Sequence, residues 1–159
     1  MVLSASQFPA AEVIEIRRRF EASCEALFLA WTDPEALKAW FGPEGVETRK
    51  AEVDLRVGGQ YRVEMHLPSG SIVEHSGVYL EIIPPTRLVF SWIFQGEDCH
   101  GAQTEIIETR VTINLSALDD GRTELYLLHE GLPTQKARNA HRYGWNGCLD
   151  GLHQYYINE

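Results

Sequence analysis

The sequence predicts an α+β fold in which a curved antiparallel sheet is covered on one face by a long C-terminal helix. Between Val46 and Glu130, apolar and polar residues alternate with period two, and turn residues interrupt the alternation at short intervals. Between Thr134 and Tyr156, apolar residues recur instead at intervals of three and four, which is typical of an amphipathic helix. This helix is the only predicted element long enough to cover one face of the sheet.

The first 45 residues predict one strand and two short helices. Residues Val13–Phe20 alternate and predict a strand that is buried on one face. Ser23 is a suitable N-cap for a short helix that ends near Trp31. Asp33 can cap a second helix, in which Pro34 takes the first position, and a Gly-Pro pair at 42–43 ends it.

Six further strands follow in a meander, which gives a seven-stranded sheet in total. Their predicted ranges are Val46–Leu55, Tyr61–Leu67, Ile72–Ile83, Arg87–Phe94, Ile107–Leu115 and Arg122–Glu130. Tight turns between consecutive strands make the sheet antiparallel. A strongly curved sheet cannot close completely against a single helix, so we expect a cavity between them.

The final helix has an unusual buried face. Its stripe consists of Ala137, His141, Trp145, Cys148, Leu152 and Tyr155. Gly144 and Gly147 flank Trp145, although each glycine costs about 1 kcal/mol in a helix. We therefore expect these glycines to provide room for close approach of the backbone or for a ligand.

Composition restricts the class of protein. A length of 159 residues predicts one domain, which we assign to residues 11–159, after a flexible arm at residues 1–10. The net charge of −9 argues against nucleic acid as a partner. We expect a cytoplasmic protein with reduced thiols, because there is no signal peptide or membrane span and the three cysteines are widely spaced. A homodimer is possible on general grounds.

Five stretches in the same order resemble one family. They are Trp31–Pro43, Asp54–Met65, Gly77–Trp92, Leu125–Leu132 and Gly144–Leu152. The chain resembles the activator of heat-shock-protein-90 ATPase homologue-like family of the START/SRPBCC superfamily. This resemblance implies a helix-grip fold, in which a seven-stranded sheet wraps around the C-terminal helix and leaves an apolar cavity. It also implies that no single catalytic set holds across the family.

The candidate ligand-binding residues are those expected to face this cavity. They are Trp40, Phe41, Tyr61, Val63, Met65, Phe90, Trp92, Phe94, Leu127, His129, His141, Trp145, Cys148 and Leu152. The alternative for each aromatic residue is simple core packing. Arg18 also falls on the apolar face of its strand, where it could hold a ligand carboxylate or extend its charge to solvent.

Catalytic and metal-binding patterns are weak. His129 or His141 could act as a general acid or base, but the sequence has no Gly-x-Ser-x-Gly elbow, and Cys148 on a buried stripe is expected to be inert. There is no Cys-x-x-Cys or His-Glu-x-x-His motif, and Cys99 and His100 lie in a polar loop, so we predict neither metal nor cofactor.

These observations favour non-catalytic binding of a small hydrophobic or amphipathic molecule in the cavity. Two other functions stay open at this point. The protein could be an enzyme of the cyclase, dehydratase or hydrolase type that uses a cavity histidine. It could also be a protein-interaction module of the co-chaperone kind, acting in the stress response.

Overall fold

The computed structural model describes residues 12–95 and 106–157, and it confirms the predicted fold class. The strands are β1 (Ile14–Phe20), β2 (Glu47–Val53), β3 (Gln60–His66), β4 (Ile72–Ile83), β5 (Arg87–Phe94), β6 (Ile107–Ala117) and β7 (Thr123–Glu130). The helices are α1 (Cys24–Thr32), α2 (Pro34–Trp40) and α3 (Gln135–Ile157). The predicted N-terminal arm, residues 1–10, and the loop residues Cys99 and His100 lie outside the described ranges.

All seven strands form one antiparallel sheet in the order β1-β7-β6-β5-β4-β3-β2. The six consecutive strands from β2 to β7 pair with their neighbours in the chain, as their tight turns predict. Strand β1 adds to the far edge, where Ile14 lies opposite His129 and Phe20 lies opposite Thr123. The first strand therefore holds β7, and with it His129, inside the sheet.

The predicted caps place the two short helices. The Ser23 hydroxyl accepts a hydrogen bond from the Ala26 amide at 3.1 Å, and the Asp33 carboxylate accepts one from the Ala36 amide at 2.9 Å. The Trp40 indole N–H donates to the Ala30 carbonyl at 2.8 Å and ties α2 to α1. The two caps therefore begin α1 and α2 where the sequence predicted, and the Trp40 bond fixes the end of α2 against α1.

One boundary prediction was wrong. The alternating pattern placed Leu55 on the inner face at the end of β2, but β2 ends at Val53 and Leu55 is 43% exposed. The reason is a tight turn, in which the Asp54 amide donates to the Gln60 carbonyl and the Gly59 amide donates to the Arg56 carbonyl. The chain therefore reverses before Leu55 can join the strand.

Helix α3 lies across the inner face of the sheet and approaches the α2–β2 loop closely in its second half. The Thr134 hydroxyl caps it by accepting a bond from the Ala137 amide at 3.1 Å. A Cβ atom at Gly147 would lie 2.6 Å from Cβ of Pro43, and one at Gly151 would lie 2.8 Å from the Trp40 carbonyl oxygen. Among the described residues, a Cβ atom at Gly144 would have no neighbour within 4 Å. Close approach therefore explains Gly147 and Gly151, whereas Gly144 faces open space.

We predict opposite effects of alanine at these helical positions. Gly144→Ala should raise the free energy of unfolding by up to about 1 kcal/mol, because alanine is the better helix former and meets no neighbour. Gly147→Ala and Gly151→Ala should each lower it by about 1–3 kcal/mol, because the added methyl group overlaps Pro43 or the Trp40 backbone. Urea denaturation measures all three variants, and a stabilised Gly147→Ala would contradict this packing.

Candidate functional site

A cavity of about 220 Å³ lies between helix α3, strands β3–β5 and the α2–β2 loop. Aromatic and apolar side chains dominate its wall, and Gly144 supplies a stretch of wall without a side chain. The lining residues are Phe41, Pro43, Met65, His75, Trp92, Ala140, His141, Gly144, Trp145 and Cys148. The inner faces of β3–β5, one face of α3 and the α2–β2 loop therefore share this wall.

The structure brings six of the fourteen candidate residues to this cavity: Phe41, Met65, Trp92, His141, Trp145 and Cys148. Three others, Tyr61, Val63 and Phe90, line a separate void of only about 30 Å³, which shares Phe41 and Trp92 as walls. Trp40, Leu127, His129 and Leu152 are buried in the packed core away from the cavity wall, and Phe94 is partly buried with its ring 5.6 Å from that of His141. The alternation of each strand identifies the inner face correctly, but not the part of that face that stays unfilled.

A chain of hydrogen bonds joins α3 to the centre of the sheet. The Trp145 indole N–H donates to Nδ1 of His129 at 3.0 Å. Since that nitrogen accepts, Nε2 of His129 carries the proton and donates to the Thr109 hydroxyl at 2.8 Å. The Thr109 hydroxyl in turn donates to the Trp92 carbonyl at 2.7 Å. The chain therefore crosses three adjacent strands and fixes His129 as one neutral tautomer.

A second set of bonds continues from Trp92 back to the helix. The Trp92 indole N–H donates to Nε2 of His141 at 3.2 Å, and Nδ1 of His141 lies 3.0 Å from the Ala137 carbonyl. A carbonyl can only accept, so Nδ1 of His141 carries the proton. Both ring nitrogens of His141 and of His129 are thus committed within the protein. Neither histidine has a free nitrogen with which to move a proton in the cavity.

Sequence reasoning missed the third histidine of this site, His75. It lies on β4 directly opposite Val63 of β3, so its partly buried side chain faces the cavity. Its ring stacks on Trp92 with the centroids 4.2 Å apart, and neither of its nitrogens has a hydrogen-bond partner among residues 12–95 and 106–157. Tyr61, Val63 and Met65 alternate on the inner face of β3. Antiparallel pairing across the 68–70 turn places His75 on the same face, and this pattern could have identified it from the sequence.

The site is electrically neutral. Within the described part of the chain, no Asp, Glu, Lys or Arg side chain lines the cavity. Burial, together with the neighbouring His141, lowers the pKa of His75 to about 4. Burial also lowers the pKa values of His129 and His141 and raises the pKa of the Cys148 thiol to about 12. All three imidazoles are therefore neutral at pH 7, and Cys148 is a protonated thiol.

Arg18 is not available to a ligand in this cavity. Its guanidinium pairs with Asp150 at 2.8 Å and donates to the backbone and side-chain oxygens of Asn146 at 3.2 Å. It therefore fastens β1 to the outer side of α3, a role that neither sequence-based alternative anticipated. Across residues 12–95 and 106–157, no group of three or more His, Cys, Asp or Glu side chains is arranged to hold a metal ion, and no helix is long and apolar enough to cross a membrane.

A curved seven-stranded sheet that holds a C-terminal helix over an apolar cavity defines the helix-grip class of proteins. The family model for Activator of Hsp90 ATPase homolog 1-like protein matches residues 21–156. The chain belongs to this family, as its five sequence stretches suggested, and the match is consistent with the START/SRPBCC superfamily.

Solved structures support the same fold. A Chromobacterium violaceum protein is 30% identical, with a TM-score of 0.76 over 90% of this chain and 96% of that one. CalU16 from Micromonospora echinospora is 28% identical, with a TM-score of 0.67 over 90% of this chain and 74% of that one. The AHSA1 protein from Silicibacter pomeroyi, at 24% identity, shares the fold with a TM-score of 0.76 over 91% of this chain and 97% of that one. No protein with a curated description matches the chain.

We predict that Thr109→Val lowers the free energy of unfolding by about 1–3 kcal/mol, because it leaves the buried His129 N–H without an acceptor. Thr112→Val is the matched control, since Thr112 is equally buried on the same strand but takes no part in the hydrogen-bond chain. Urea denaturation of the two variants measures the difference. Equal losses would show that the chain of bonds does not stabilise the fold.

We predict that acid destabilises the protein between about pH 6.5 and pH 4. The unfolded chain binds protons at its histidines in this range, with a pKa of about 6.5, while the folded chain holds them neutral. The free energy of unfolding therefore falls as the pH falls, by at most about 1.4 kcal/mol per pH unit for each such histidine. Urea denaturation between pH 7 and pH 5 measures this slope.

His75→Phe is the control for this pH dependence, because it keeps an aromatic ring against Trp92 and removes one titrating group. We expect a shallower slope for this variant. A slope equal to that of the unmodified protein would exclude His75 as a contributor.

Proposed function

We propose that the protein binds a small, uncharged, hydrophobic or amphipathic molecule in the cavity beneath α3. The observation that carries this proposal is a cavity of about 220 Å³ that, among the described residues, is lined by aromatic and apolar side chains and by no charged one. An apolar cavity of about 150 Å³ is large enough for benzene. The present cavity therefore suits a molecule of one ring or two fused rings.

Membership in a helix-grip family supports the proposal, because this fold is consistent with a ligand-binding domain. The wall at Gly144 supports it as well. A helix that served only to fill the core would gain stability from alanine or leucine at this position, yet the chain keeps a glycine beside open space. Binding of a ligand there would compensate for the lost helix stability.

Catalysis has less support than binding. The two histidines that the sequence offered as an acid or base, His129 and His141, use all four ring nitrogens for bonds within the protein. The buried thiol of Cys148 is held in its protonated, unreactive form by its raised pKa. These contacts favour a cavity that holds a molecule over one that transforms it.

We also propose that the protein acts in the cytoplasm. Among the described cysteines, Cys24 and Cys148 are both buried free thiols, which suits a reducing compartment.

Two substitutions at Gly144 test ligand binding. Gly144→Phe should fill the cavity and weaken binding of naphthalene, measured by isothermal titration calorimetry, at least tenfold. Gly144→Ala is the matched control, because it adds only a methyl group and should leave the dissociation constant within about twofold. Near-ultraviolet circular dichroism verifies that both variants fold. Equal binding of naphthalene by all three forms, or failure of the unmodified protein to bind both naphthalene and 2-naphthol, would overturn the proposal.

A further inference from the structure

We propose that His75 selects the ligand, and that the ligand is a flat, uncharged aromatic molecule with a hydroxyl group that donates a hydrogen bond to the His75 ring. This inference rests on the proposed function of the cavity and specifies the chemistry of what it holds. Two imidazoles, those of His75 and His141, line the cavity, and they differ in whether their nitrogens already have partners.

Most polar side-chain atoms of the site already have a hydrogen-bond partner within the protein. His141 lines the cavity, but Trp92 and the Ala137 carbonyl occupy its two nitrogens. The indole N–H groups of Trp92 and Trp145 are likewise used, on His141 and His129. Among the side chains described for the cavity wall, His75 alone combines strong hydrogen-bonding capacity with the lack of a partner.

The orientation of the His75 ring is set by stacking and by its strand. It stacks on Trp92 with an interplanar angle of 23°, and β4 holds its backbone between β3 and β5. The ring is therefore held by its face and its backbone, without any use of its nitrogens. Phenylalanine would make the same stack, so the described contacts give the His75 nitrogens no role of their own. A ligand hydroxyl would supply the missing partner.

The cavity wall favours a ligand without charge. No described Lys, Arg, Asp or Glu side chain lines the cavity, so an ionised ligand would lose its hydration without gaining a counter-ion. The lowered pKa of His75 keeps its ring neutral at pH 7, so one nitrogen holds a lone pair and can accept a bond. A phenol-type hydroxyl fits this environment better than a carboxylate or an ammonium group.

The test compares four probes of one shape: naphthalene, 2-naphthol, 2-methoxynaphthalene and 2-naphthoate. Calorimetry measures the binding of each probe to the unmodified protein, to His75→Phe and to the control His66→Phe. The His75→Phe variant should weaken 2-naphthol roughly tenfold and leave naphthalene within about twofold, because one hydrogen bond is lost and the stacked ring is kept. His66→Phe makes the same change at a histidine that pairs with Glu64 outside the cavity wall, and it should leave both probes within about twofold.

The outcomes separate the two proposals. If naphthalene and 2-naphthol both bind and His75→Phe weakens neither, the role of His75 is overturned and the proposed function stands. If neither binds the unmodified protein, both proposals fail. The uncharged class is wrong if 2-naphthoate binds as tightly as 2-naphthol. The donating hydroxyl is wrong if 2-methoxynaphthalene, which can only accept, matches 2-naphthol.

Discussion

Beside the cavity, helix α3 is held to the sheet by a chain of hydrogen bonds that starts and ends on that helix. It leaves α3 at Trp145, passes through His129 and Thr109 to Trp92, and returns to α3 at His141. In a buried environment these bonds are strong, and each donor that loses its acceptor is costly. Protonation of either histidine would set an imidazolium N–H against an indole N–H. The bonds that position the helix therefore require both histidines to be neutral.

The cavity follows from how this constraint combines with the glycines of α3. At Gly147 and Gly151 the helix lies against Pro43 and the Trp40 carbonyl, at distances that exclude a side chain. One turn earlier, at Gly144, the same helix faces open space, since the bonds from Trp145 and His141 hold it over the aromatic rings of the sheet. The space beneath α3 therefore lies between the close backbone contact at Gly147 and Gly151 and the hydrogen-bonded side chains of Trp145 and His141.

The sequence predicts the fold almost completely, because caps, turns and alternation are local signals. Ser23, Asp33 and Thr134 cap their helices as their positions suggested, and only Leu55 was placed on the wrong side of a strand end. The site was less predictable. His129 and His141 were correctly placed on inner faces, but their hydrogen bonds depend on the register of three strands with α3. His75 was missed because its inward direction becomes visible only when β4 is paired with β3.

The aromatic and histidine residues that hold α3 lie on different strands from the residues of the cavity wall that make no such bonds. The hydrogen bonds to Trp145 and His141 use residues of β5, β6 and β7, whereas two residues of the cavity wall, Met65 and His75, lie on β3 and β4 and take no part in these bonds. Substitution on β3 or β4 changes the shape and polarity of the cavity without breaking the bonds that hold the helix.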